Sequence, residues 1–194
     1  MVRGNQRFVA GEPAHPRQDV ERREELAASQ APHAALFGCS DSRLAAEIIF
    51  DKGLGDLFVV RNAGQVISDS VIGSLEYAVG VLDVPLIVVL AHDACGAVQA
   101  AIDLDRPDAR PLPPHIAGHI AAIRPSVRAA ASRDPDAVGI THLERTVSDL
   151  VARSELITDA VADGRLAVVG ANYKLLEGTA VPAVIVGDVS DSHS

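Results

Sequence analysis

LIVVLAHDACGAVQAAIDL, residues 86 to 104, decides the fold. Its opening run, 86–92, is apolar and rich in β-branched side chains up to its last residue, His92, which reads as a strand buried on both faces. Past it the period lengthens, and 95–104 carries apolar residues at helical spacing. A buried strand feeding straight into a helix is half of a β–α–β unit, and such units build parallel sheets covered by helices.

Outward from this unit, runs of the same kind occupy 34–39, 57–61 and 166–173, with a fifth at 183–189. Between them, helical periodicity covers 42–50, 69–82 and a long stretch from 136 to 162. The alternation predicts an α/β fold with a mostly parallel central sheet of four to five strands flanked by helices. Ser40 or Asp41 is placed to cap the helix at 42–50, Gly53 and Gly55 mark its end, and the helix at 69–82 stops ahead of Val84 and Pro85. DRPDARPLPP, 105–114, holds four prolines among charges and reads as an exposed connection. We expect residues 1–194 to be one domain, with an amino-terminal helical arm at 1–30 and the α/β core at 31–194.

Hydrophobic residues make up 48% of the chain but aromatics only 3%, so Val, Ile, Leu and Ala must fill the core. The formal net charge of −9, without a Lys/Arg cluster, argues against a nucleic-acid partner. No stretch approaches the roughly 20 apolar residues of a membrane span, and MVRGNQRFVA lacks the apolar run of a signal peptide. The expectation is a soluble, cytoplasmic protein with no membrane partner. Two cysteines, with 55 residues between them, do not make a disulfide framework, which leaves free thiols or metal-bound thiolates.

Both cysteines fall at or just past the carboxyl ends of predicted strands, the edge where open α/β sheets take ligands. His92 and Cys95 form an H-x-x-C element, so one turn can aim an imidazole and a thiolate at a common point. Cys39, if its strand is adjacent, reaches the same point across about 4.8 Å. Three such ligands suit zinc and leave a fourth tetrahedral position open. The residues alone also allow a plainer reading, in which the cysteines are small buried hydrophobes and His92 a satisfied core histidine. Asp41 and Arg43 in CSDSR weigh against it, because a packed strand end has little use for an acid and a base together. Asp41 can either bind the metal or be held away by Arg43 in a charge-assisted pair.

CSDSR at 39–43, GDLFVVRNAG at 55–64, SLEYAV at 74–79 and HDACGAV at 92–98 together resemble the β-carbonic anhydrases. The resemblance runs from GNQRFV near the start to VVGANYKLLEG around Gly170. It implies Zn2+ on Cys39, His92 and Cys95, with Asp41 as a fourth ligand in a closed state, and reversible hydration of CO2 to bicarbonate by zinc-bound hydroxide. Asp41 and Arg43 would form the dyad that gates and orients that hydroxide. Gln30 matches a glutamine that contacts substrate, and Phe58 and Tyr77 match aromatic residues of a narrow pocket assembled at a subunit interface. Gly96 would bring a backbone N–H to the helix start where an anionic product could bind. Arg61 fits a position near that interface, or a structural ion pair. The implied assembly is a homodimer or homotetramer, although few residues precede GNQRFV where family members usually have a longer helix that wraps a partner.

Some bacterial members place a Trp three residues before the first zinc ligand to build an inhibitory bicarbonate site; here that position is Leu36. Rival functions are hydrolysis of CS2 or carbonyl sulfide on the same fold, a non-catalytic zinc protein closed by Asp41, and a flavodoxin-like nucleotide binder. The last lacks a Gly-rich loop after the first strand. His115 and His119, four apart but with no third ligand nearby, read as a solvated helix face, and His15, His33, His142 and His193 as surface.

Overall fold

The computed structural model describes residues 1–188. Its centre is a five-stranded sheet in the order β2-β1-β3-β4-β5. The strands are β1 (Ala34–Cys39), β2 (Leu57–Asn62), β3 (Leu86–His92), β4 (Ala167–Lys174) and β5 (Thr179–Val186). The first four are parallel, and β5 closes the sheet antiparallel to β4. β1 is buried at every position, as a strand covered on both faces must be. Sheet order turns back at β1, since β2 lies on one side of it and β3 on the other. Such a switch point opens a crevice beyond the strands' carboxyl ends.

Alternate residues of the strands serve different layers. Phe37, Ile87 and Val89 pack under α4 (Asp69–Gly80), α8 (Pro135–Arg153) and α9 (Glu155–Ala162), through Leu75, Leu143, Leu150 and Ile157. Leu36, Val88 and Leu90 face the other way, against Leu44, Ile49 and Phe50, where α3 (Ala46–Ile49) and α1 (Val2–Ala10) lie. A third cluster sits at the carboxyl end of the sheet. Cys39 and Cys95 there join Val98 and Ile102 of α5 (Gly96–Leu104), Ile120 of α6 (Pro114–Ala121) and Val127 of α7 (Arg124–Ala129).

Three elements differ by more than two residues from the sequence reading. The helix expected at 42–50 is only α3, because Asp41 spends its Oδ1 on the Arg43 backbone N–H (2.9 Å) and its carbonyl on the Leu44 N–H (3.0 Å). That makes a tight turn, and the helix is deferred to Ala46, so neither Ser40 nor Asp41 caps it. The helix expected at 136–162 is two, α8 and α9, broken at Ser154. The Ser154 Oγ accepts from Ile157 N (3.2 Å) and donates to Glu76 (2.7 Å), so it caps a new helix rather than continuing the old one. The last strand is shifted to 179–186; Gly187 has φ +89 beyond its end, and Val189 lies outside the described residues. Among the described residues no helix is long and apolar enough to cross a membrane.

Residues 1–30 hold α1 and α2 (Val20–Glu25), tied to the core by buried polar groups. Asn5 donates to Ile49 O (3.1 Å) and Gly178 O (2.8 Å). Asp56, fully buried, accepts from Arg17 Nε (2.9 Å) and Nη2 (2.5 Å) and from Gly53 N (2.8 Å). Burial by itself would raise the Asp56 pKa, but the Arg17 guanidinium and the Gly53 N–H outweigh it and hold the carboxyl below its ordinary value. Stability from this group is therefore present above about pH 4 and lost as pH falls through the depressed value. Asp56→Asn should cost about 3 kcal/mol at neutral pH, the low end for a broken buried pair because Arg17 can turn to water. Urea unfolding should show the gap between the two proteins closing as the pH is lowered towards 3.

Candidate metal centre

Cys39 ends β1, His92 ends β3, and Cys95 immediately precedes α5. Since β1 and β3 are paired neighbours, the two strand ends bring their side chains to one place. Cys95 is returned to it by a turn in which Ala94 adopts φ +48, a left-handed conformation that costs a residue with a Cβ roughly 1–2 kcal/mol. One ligand atom from each of Cys39, His92 and Cys95 lies within 4.8 Å of the others, and all three residues are buried. Neither cysteine is in a disulfide.

These donors fit a metal ion. The His92 Nδ1–H donates to the Asp93 carbonyl (2.7 Å), which fixes the tautomer and leaves the Nε2 lone pair facing the sulfurs. Nε2 is buried and has no hydrogen-bond partner among the described residues. Two other buried side-chain atoms among the described residues, Gln65 Oε1 and Arg124 Nε, are also unpartnered, but neither belongs to the cluster. An orphaned imidazole nitrogen costs free energy unless something takes its lone pair. Contact with Cys95 draws the Cys39 thiol well below its ordinary range despite burial, with His92 and the Gly64 N–H adding to the effect. Cys95 is correspondingly pushed up, first by its contact with Cys39 and then by burial. Two sulfurs this close cannot both ionise without a cation between them.

Beside the cluster, Arg43 grips Asp41 with two parallel bonds, Nε to Oδ1 (2.8 Å) and Nη2 to Oδ2 (2.7 Å). This pairing outweighs burial and holds Asp41 far below the ordinary carboxylate range, so it is ionised at any working pH. Asp41 Oδ2 is nevertheless only 3.8 Å from His92 Nε2. Among the described residues Arg61 makes no ion pair. It donates to the carbonyls of Cys39 (2.9 Å) and Asp41 (2.7 Å), fixing the backbone that carries both side chains.

Phe58 and Tyr77 do not gather at this point within one chain, whereas Gly96 adjoins it, directly after Cys95. Phe58 pairs with Ala35, four residues before Cys39 and so about 13 Å down the sheet. It stacks on Tyr77 of α4 with ring centroids 6.2 Å apart, while Tyr77 and Gln30 are exposed. Gly96 opens α5, exposed, with free space where a side chain would be. Leu36 is buried under α3.

Two histidines were misplaced by the sequence reading. His142 is buried, with Nε2 donating to Gly64 O (2.8 Å) and Nδ1 3.3 Å from Ser126 Oγ. His119 is half-buried and donates to Ala63 O (2.6 Å) rather than lying on a solvated face. A signal for His142 was available, since it falls between the buried Val138 and Thr146 at four-residue intervals on one face of α8. None existed for His119, whose partner is 56 residues away. His15, His33 and His115 are exposed, and His193 lies outside the described residues.

A sequence model of the family described as Carbonic anhydrase matches residues 34–180. Carbonic anhydrase 2 of Mycobacterium tuberculosis is 50% identical, covering 98% of this chain and 93% of its own length. The Carbonic anhydrase of Mycolicibacterium smegmatis is 47% identical over 97% and 92%. Among solved structures, a tetrameric β-carbonic anhydrase from Sordaria macrospora superposes with a TM-score of 0.76 at 25% identity, covering 92% of this chain and 93% of that one. Coccomyxa β-carbonic anhydrase in complex with acetazolamide gives 0.74 at 26%, covering 96% and 85%.

Proposed function

The chain belongs to the β-carbonic anhydrase family, and from that premise we propose that it hydrates CO2 reversibly to bicarbonate with zinc on Cys39, His92 and Cys95. One observation carries the metal assignment: the buried, partnerless Nε2 of His92 faces two sulfurs, a donor set of the softness zinc prefers. Zinc bound there would supply hydroxide near neutral pH by lowering the pKa of water.

The chain's own residues do the rest. The Asp93 carbonyl orients His92, and Arg61 fixes the backbone of Cys39 and Asp41. Asp41, gripped by Arg43, stays off the cluster and can accept a proton of the nucleophile as a hydrogen bond, orienting it towards CO2. Released, the same carboxylate would become a fourth ligand and close the site. The grip favours the open, catalytic arrangement over a permanently closed zinc protein. Phe58 and Tyr77 lie away from their own chain's cluster, Gln30 is exposed, and β2 is an edge strand, so we assign these three to the CO2 pocket of a second copy in a homodimer or homotetramer. Gly96 N–H is available to bicarbonate at the start of α5.

Stopped-flow CO2 hydration tests the reading. Asp41 does not titrate in the working range, so its competition with hydroxide for the open side of the cluster is decided by hydroxide concentration. Turnover should therefore rise from mildly acidic to alkaline pH. A flat profile would count against the gate, and no turnover at alkaline pH against the activity.

A further inference from the structure

We propose that His119 and His142 are positioning residues that act on the metal centre through the peptide at Gly64. This inference rests on the metal site proposed above, but its parts belong to loop 62–66 and to α6 and α8, outside the ligand set.

The Gly64 N–H points at the Cys39 sulfur, 3.3 Å away. That N–H shares one planar amide with the Ala63 carbonyl. The Ala63 carbonyl accepts from His119 Nε2 at 2.6 Å. Because a carbonyl oxygen can only accept, His119 carries its proton on Nε2, and the hydrogen bonds run in one direction: imidazole N–H to carbonyl, amide N–H to sulfur. In such a chain each bond polarises the next, so a stronger pull on the carbonyl makes the amide a better donor to sulfur.

His142 acts on the following peptide. Its Nε2–H donates to Gly64 O at 2.8 Å, and its Nδ1, left as an acceptor, faces Ser126 Oγ at 3.3 Å. Two imidazoles from two helices therefore hold the carbonyls on either side of one α-carbon. The residue between them is the one that most needs holding, since Gly64 sits at φ +76 and glycine turns freely. It is also packed closely: a Cβ there would meet Ala97 at 2.7 Å and Ile123 at 2.9 Å. Asn62 closes the same loop with bonds to Val66 O (2.7 Å) and from Val66 N (2.8 Å). With both carbonyls pinned, the N–H is aimed at the sulfur in advance of any metal. A donor to a ligand sulfur withdraws electron density from it, which is how outer partners tune a bound ion.

The test compares His119→Phe, which removes the donor and keeps a ring, with His119→Gln, whose amide N–H reaches a similar point. Cobalt(II) in place of zinc gives a sulfur-to-metal charge-transfer absorption that reports the electron density on sulfur, and chelator competition gives zinc affinity. His119→Phe should move the absorption to longer wavelength and weaken zinc binding about tenfold, and His119→Gln should restore both. His142→Phe should do the same if it folds by circular dichroism; the His119 pair decides the matter by itself. Unshifted absorption and unchanged zinc affinity in His119→Phe would overturn the relay and leave the metal site standing. A wild-type chain that takes up neither metal would overturn the metal site and the relay with it.

Discussion

Cys95→Ser is expected to lose zinc and CO2 hydration together while the fold survives. A serine hydroxyl in place of the thiolate is a hard, protonated donor, and Cys39 and His92 alone leave a borderline-soft ion two of its three protein ligands. The fold should tolerate the change because Cys95 is the N-cap of α5, where no side chain makes a capping bond, and serine is among the best residues for that position. Metal content by mass spectrometry should fall from about one zinc per chain to a trace, with CO2 hydration at the uncatalysed rate. Unchanged circular dichroism would assign the loss to chemistry rather than unfolding. A variant that kept both zinc and turnover would remove Cys95 from the site.

How far the sequence could be read depended on how far each signal reached along the chain. β1 and β3 were legible to the residue, because a strand covered on both faces must be apolar throughout and its ends are abrupt. β5 was shifted by several residues, since a partly exposed strand carries a weaker pattern. Helix breaks at Asp41 and Ser154 were hidden because both depend on a side chain choosing a local backbone partner over the helix. Cys39, His92 and Cys95, which the structure brings together, stood out because sulfur and imidazole at or just past strand ends are chemically distinctive. His119 did not, because its contact with the Ala63 carbonyl exists only once α6 has packed over the loop. Arg61 was seen but its partners were not, as they are backbone carbonyls that leave no mark in the sequence.

Arg43→Ala should leave zinc in place and lower CO2 turnover by about 10- to 100-fold, the usual cost of removing a partner that holds a group beside a metal. The two results together would separate gating from metal binding. Arg61 and the backbone N–H of residue 43 still hold the turn, so Asp41 keeps its place in the chain while its carboxylate loses both guanidinium bonds. An aspartate without that pairing is still ionised near neutral pH, and this one starts 3.8 Å from the His92 nitrogen, so only a short swing separates it from the open side of the cluster. Arg43→Lys should fall between, because one ammonium cannot reproduce the parallel pair of bonds. The loss should be greatest at mildly acidic pH, where hydroxide competes least with the freed carboxylate, and should shrink as the pH is raised. Equal loss at every pH would point to damage other than closure, and full activity in Arg43→Ala would mean that something else keeps Asp41 away.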